Sequence, residues 1–183
     1  TVFMGRIFAT ADIGSNTVHL LVAEFGGPHL DRKRNESEWL GLGEIVSRER
    51  KIPDSSRSAL IRTITNYRDI ALSETADSLY VFATEAMRIA SNCDDVLAEI
   101  REKTGIQVDL ISPQQEAELA VRGVSLDVLT EDPWLLVEMG GGSVQVGLVE
   151  EGELLSEISL PAGTGRLIYQ TGLQYPPTSE QWV

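Results

Sequence analysis

Apolar and polar positions follow two periods along this chain, and the switches between them outline its elements. Gly5–Gly14 (GRIFATADIG) reads as a strand ending at Asp12-Ile13-Gly14, and Thr17–Phe25 (TVHLLVAEF) as a second strand. Gly26-Gly27-Pro28 marks a turn, and the stretch from Pro28 to Gly43 carries a third strand with a polar face. Pro53–Ala76 is the longest helical pattern, with Ala59, Leu60, Ile64, Tyr67 and Ala71 near helical spacing. Ser78–Thr84 reads as a short strand, Asn92–Gly105 as a helix with early acids, late bases and a terminal glycine, and Ile106–Ser112 as another strand. Ser112 opens a further helix: it can cap, Pro113 suits the first turn, and Gln115 completes a capping box. Pro133–Gly140 and Ser143–Pro161 give three more strands with a hairpin at Glu151-Gly152, and Gly163–Gly172 reads as a short helix. The order βββ-α-β-α-β-α-βββ-α predicts a mixed α/β sheet flanked by helices.

No period of 20–50 residues repeats, and no low-complexity linker divides the chain. A single domain is expected over residues 1–175. The closing YPPTSEQWV has Pro-Pro, then Thr178 or Ser179 as a cap, so 176–183 reads as a helix beginning as the sequence stops. That pattern predicts a piece of a longer protein.

Composition narrows the class. The 183 residues suffice for a sizeable core, and 42% are hydrophobic. No apolar run reaches the ~20 residues that span a bilayer. The first residues show no basic-then-apolar signal pattern, and the lone Cys93 cannot form an internal disulfide, so a cytoplasmic protein is expected. The net charge of −13 argues against a nucleic-acid partner. It also means that a polyanionic ligand must be met by locally placed N–H groups, arginines or metal ions.

Two stretches carry candidate chemistry. In ADIGSNTVHLLV a strand ends in Asp12, Gly14 turns the chain, and Ser15, Asn16 and Thr17 offer donors, while Asp12 suits a magnesium ion or its waters. The same letters also describe a plain hairpin with polar turn residues. In LLVEMGGGSVQVGLV, Gly140, Gly141, Gly142 and Ser143 sit between two strands, allowing either close approach to a ligand or merely a tight turn. Two such hairpins far apart in one chain are a stronger signal than either alone.

The two loops and their spacing resemble the exopolyphosphatase and guanosine-pentaphosphate phosphohydrolase family, within the actin, sugar-kinase and heat-shock-chaperone superfamily. DIGSNTVHLLV is similar to the family's first phosphate loop and GGGS to its second. FATEAMRIASNCDDVLAEIREKTGIQVDLIS resembles its central segment, SPQQEAELAVRGV the segment with its general base, and SLPAGTGRL the stretch that follows. The likeness runs from about Ile7 to Leu167. It implies a ribonuclease-H-like, actin-like ATPase domain with a mixed sheet of five or more strands. It further implies hydrolysis of the terminal phosphate of inorganic polyphosphate or guanosine pentaphosphate, with Mg²⁺ as cofactor, no membrane partner, and a homodimer in the full-length protein. Carried over by motif, Glu116 is the catalytic glutamate that activates water. Gly14, Ser15, Asn16, Thr17, Arg88, Gly141, Gly142 and Ser143 bind phosphate, and Asp12 and Glu138 serve the metal. Each has a plainer reading: Glu116 as a solvated helix glutamate like Glu118, and Arg88 as a helix-surface arginine paired to Glu85 or Asp94. Asn92 reads as a cap for the next helix.

Three positions depart from the family pattern. Glu138 stands where an aspartate is usual, Gln145 replaces a second carboxylate, and Gly41-Leu42-Gly43 lacks a usual arginine. A catalytically weak polyphosphate or nucleotide sensor is therefore the alternative to a hydrolase. A sugar or acid kinase is a third class, disfavoured because no aspartate base stands in SPQQEAELA. His19, His29 and Cys93 read as structural or turn residues, and the basic run Leu30–Asn35 as a solvated strand face.

Overall fold

The alternation at the start of the chain produces an antiparallel meander of β1 (Arg6–Ile13), β2 (Thr17–Phe25) and β3 (Asp31–Trp39). The computed structural model describes residues 5–26, 30–126 and 132–172. The chain packs as two compact units, Thr1–Leu110 and Ile111–Val183, where the sequence predicts a single domain over residues 1–175. The expected boundary at 175 and helix start at 176–183 lie outside the described residues, as does His29.

In the first unit, β4 (Ser78–Ala83) and β5 (Val108–Leu110) run parallel to β1 and extend the meander into a five-stranded mixed sheet ordered β3-β2-β1-β4-β5. Period-two alternation sends Ala9, Ala11, Ile13, Val18, Leu20, Val22, Val81 and Ala83 into one core. Helices α2 (Asp54–Ser73) and α4 (Cys93–Thr104) supply the facing residues. On α2, Leu60, Ile64, Tyr67 and Ala71 form the buried stripe anticipated from their spacing. The Tyr67 hydroxyl donates to the Val18 carbonyl at 2.8 Å, which ties α2 to the strand residue just beyond the first glycine hairpin.

Two short helices were not anticipated: α1 (Leu42–Glu49) and α3 (Glu85–Ile89). With eight and five residues they are too short to display a periodic stripe, and tertiary contacts rather than propensity hold them. The strand expected over 106–112 is only Val108–Leu110. Asn92 occupies the cap position of α4, but its side chain does not cap. It pairs with the backbone of Ile52, accepting from the N–H and donating to the carbonyl, both at 2.9 Å.

In the second unit, α5 (Pro113–Val124) starts with the expected capping box. Gln115 N–H donates to Ser112 Oγ at 3.1 Å, and Ser112 N–H donates to Gln115 Oε1 at 2.9 Å. This helix packs on an antiparallel sheet of β6 (Trp134–Met139), β7 (Val144–Glu150) and β8 (Glu153–Leu160), followed by α6 (Thr164–Thr171). Val121, Leu136 and Val149 form its core, flanked by Ala120, Trp134 and Leu154. Leu135, Val137, Met139 and Ile158 are exposed. Among the described residues no helix is long and apolar enough to cross a membrane.

Ile64 is fully buried in the first core. Ile64→Ala should lower unfolding free energy by about 2–5 kcal/mol, from lost transfer energy plus the cavity left behind. Urea denaturation of the two proteins measures this; a change under about 0.5 kcal/mol would place Ile64 outside the core.

Candidate functional site

In the first unit the candidate residues gather at the C-terminal ends of β1 and β4. Asp12 lies on β1 with Ile13, and Gly14 turns the chain, its N–H donating to the Thr17 carbonyl at 3.0 Å. The carbonyls of this turn are captured by the segment that enters α1. Asn16 O accepts from the N–H groups of Leu40 and Gly41, each at 2.9 Å, and Ser15 O accepts from Gly43 N–H at 2.7 Å. Thr84 N–H donates to Ile13 O at 3.2 Å, so α3 begins beside the same turn. Arg88 N–H donates to Thr84 O at 3.1 Å, and its side chain is half-buried.

The second unit repeats this arrangement. Gly140 N–H donates to the Ser143 carbonyl at 2.9 Å, closing the β6–β7 hairpin. All three glycine carbonyls are then taken by the first turn of α6. Gly142 O accepts from Gly163 N–H at 3.1 Å and Gly140 O from Thr164 N–H at 2.9 Å. Gly141 O accepts from Gly165 and Arg166 at 2.8 and 3.2 Å. These donors are the N–H groups that a helix start otherwise leaves unpaired.

A trans peptide points its N–H opposite to its carbonyl. Capture of the Ser15 and Asn16 carbonyls therefore turns the N–H groups of Asn16 and Thr17 away from α1. Capture of the Gly140, Gly141 and Gly142 carbonyls turns those of Gly141, Gly142 and Ser143 away from α6. Each hairpin so has carbonyls held by the start of the following helix and the N–H groups of the same peptides directed away from it, an arrangement suited to an anion. Two glycines permit the close approach. A Cβ on Gly43 would lie 2.8 Å from Ser15 Cβ, and one on Gly163 would lie 2.3 Å from the Gly142 carbonyl carbon. Sequence reading treated Gly41-Leu42-Gly43 as a missing arginine and did not single out Gly163. The signal was a glycine beginning the helix after each third strand, which gains meaning only once the hydrogen bonds are known.

The carboxylates of the second unit converge. Glu138 on β6 has its Oε2 buried without a hydrogen-bond partner among the described residues. Burial, and secondarily the Glu116 carboxylate, push the Glu138 carboxyl above the usual glutamate range. Glu116 is thus placed near Glu138, half-buried in the first turn of α5. Glu118 accepts from Gln114 Nε2 at 2.9 Å, as a helix-surface residue. Gln145 stands across from Glu138 in register and is buried. No cluster of three or more His, Cys, Asp or Glu side chains suited to a metal occurs among the described residues. Mg²⁺ does not require one, since it takes one or two carboxylates with waters and phosphate oxygens, and a bare buried carboxylate oxygen suits it.

Residues set aside keep their plain roles. Lys33 on β3 is bridged to Glu24 and Asp31 at 2.7 and 2.8 Å, and Arg34 to Glu36 at 2.6 Å, so two of the three cations in the basic run are paired within the sheet. His19 is exposed beside Ser37, and burial pushes the Cys93 thiol above its ordinary range.

Gly163→Ala should force the hairpin and the α6 start apart and cost on the order of 1–3 kcal/mol. Thermal unfolding measures this; an unchanged midpoint would show that the close packing is not required. Glu138 gives a pH test. The folded chain holds this proton more tightly than the unfolded one, so its contribution to stability is full below about pH 4.3. It is lost as pH rises through the raised folded value. Relative to Glu138→Gln, the unsubstituted chain should therefore lose stability as pH rises above that point, and a pH-independent difference would contradict the shift.

Comparison with known proteins bears on these hairpins. Residues 24–182 match the model of the Ppx/GppA phosphatase family. Exopolyphosphatase 1 of Mycobacterium tuberculosis is 36% identical over 174 residues, covering 91% of this chain and 49% of that protein. The guanosine-5'-triphosphate,3'-diphosphate pyrophosphatase of Aeromonas hydrophila is 26% identical over 159 residues, covering 84% of this chain and 32% of that protein. The chain thus spans about half the length, or less, of these relatives. Among solved structures, an exopolyphosphatase from Cytophaga hutchinsonii matches with a TM-score of 0.86 at 27% identity, covering 96% of this chain and 56% of that one. The Aquifex aeolicus member of the Ppx/GppA family matches with a TM-score of 0.81 at 27% identity, covering 97% and 58%. The mixed five-stranded sheet flanked by helices is the α/β architecture expected from the sequence, and it is shared with these Ppx/GppA structures. On the extent of the family match and the shared architecture, this chain belongs to the Ppx/GppA phosphatase family.

Proposed function

We propose that the protein hydrolyses the terminal phosphoanhydride of inorganic polyphosphate or guanosine pentaphosphate. The observation that carries this reading is the capture of hairpin carbonyls in both units, which leaves backbone N–H groups turned outward to meet phosphoryl oxygens. In a chain of net charge −13, such local donors are what a polyanion requires. Gly14, Ser15, Asn16 and Thr17 serve as phosphate donors in the first unit, with Arg88 adding a planar cation at the same sheet edge. Gly141, Gly142 and Ser143 serve in the second. Glu116 orients the attacking water and accepts its proton as the oxygen bonds to phosphorus and the bridging oxygen leaves with the shortened chain. Asp12 and Glu138 are the carboxylates proposed for Mg²⁺, which when bound supplies positive charge to the phosphate oxygens. The relatives named for exopolyphosphatase and for guanosine-5'-triphosphate,3'-diphosphate pyrophosphatase support this substrate class.

A second reading, phosphate binding with little turnover, is favoured by one observation: Gln145 brings no charge beside Glu138. Orthophosphate release from long-chain polyphosphate, with Mg²⁺ and the protein in its full length, separates the two. Glu116→Gln should lower kcat by about 10²–10⁴-fold with KM little changed. An unaltered kcat would remove Glu116 as base. No release by either protein, with polyphosphate still retained, would favour the binding reading.

A further inference from the structure

Gln145 is the departure from the family pattern with the clearest physical consequence. Its side chain is 1% exposed and that of Ser143 5%. Gln145 Nε2 donates to Ser143 Oγ at 3.0 Å. A hydroxyl has one proton and two lone pairs, and an amide NH₂ can only donate. The amide therefore occupies a lone pair of Ser143 and leaves its proton for another acceptor. We propose that Gln145 is a positioning residue that keeps the Ser143 hydroxyl a donor to phosphate, so that the second hairpin presents donors from its side chain as well as its backbone.

This inference rests on the anion-seat reading above and adds a role that a vanished metal ligand does not have. A carboxylate at 145 would accept the Ser143 proton and turn the hydroxyl inward. It would also place a second negative charge directly across the ladder from Glu138, which already feels Glu116. The amide avoids both. The hairpin then addresses phosphate with its carbonyls held by α6 and its serine lone pair held by Gln145.

The test is a double-mutant cycle on binding of inorganic tripolyphosphate, by titration calorimetry in the presence of a chelator. Thermal unfolding checks that each variant is folded. Ser143→Ala and Gln145→Met should each weaken binding on the order of tenfold, the effect of one hydrogen bond to a charged group. The double variant should bind no more weakly than Ser143→Ala, because Gln145 acts through Ser143. Gln145→Glu should also weaken binding, because a carboxylate accepts the Ser143 proton instead of donating to its oxygen. Gln145→Met or Gln145→Glu binding as tightly as the unsubstituted chain, or a further tenfold loss in the double variant, would each overturn the proposal. Failure of the unsubstituted chain to bind tripolyphosphate, with or without Mg²⁺, would instead overturn the anion-seat reading beneath it.

Discussion

The capture of hairpin carbonyls by the start of a helix is the interaction on which the rest of this structure depends. It occurs at Ser15 and Asn16 with the Leu40–Gly43 segment, and at Gly140–Gly142 with Gly163–Arg166. In each case two groups that would otherwise lack partners satisfy one another: the acceptors of a tight turn and the donors of a helix N-terminus. The arrangement explains why each unit runs strand, turn, strand, strand, helix. The third strand returns the chain to the level of the turn, and the next residues close on it. It also explains Gly43 and Gly163, where any Cβ would fall inside the turn's own atoms.

Electrostatics follows from that geometry. The chain is acidic, and Lys33 and Arg34 of its basic run are paired with Glu24, Asp31 and Glu36 within the first sheet. Under the proposed function, attraction for an anion comes from oriented backbone N–H groups together with Arg88, which act over a short range. The acids near the second hairpin pull the other way. Glu138 is half-buried, with one carboxylate oxygen fully so, and holds its proton more tightly than an exposed glutamate does. An uncharged Gln145 across from it limits the accumulation of like charge. The second hairpin thus combines a donor-rich turn with a carboxylate pair that a divalent cation would stabilise.

Local patterns made much of this fold legible. The alternation in β1, β2 and β4, the stripe on α2, the capping box on α5 and the hairpin at Glu151-Gly152 are short-range signals, and each element formed where its residues indicated. Both glycine hairpins were visible as strand–turn–strand patterns. What escaped depends on contacts between distant positions. Helices α1 and α3 are too short for periodicity to reveal, and Asn92 looked like a cap because its use by Ile52 lies 40 residues away. The division between Leu110 and Ile111 leaves no trace in composition, since no linker marks it. The supporting glycines 43 and 163 could not be valued before their partners were known.

Amide chemical shifts test the central claim most directly. Inorganic tripolyphosphate would be titrated into the ¹⁵N-labelled chain while each backbone N–H is followed by NMR. The account predicts that Asn16, Thr17, Gly141, Gly142 and Ser143 move first and saturate together within each hairpin, while Gly163, Gly165 and Arg166, committed to the hairpin carbonyls, move little. Saturable shifts confined to residues elsewhere, with these five amides unmoved, would contradict it.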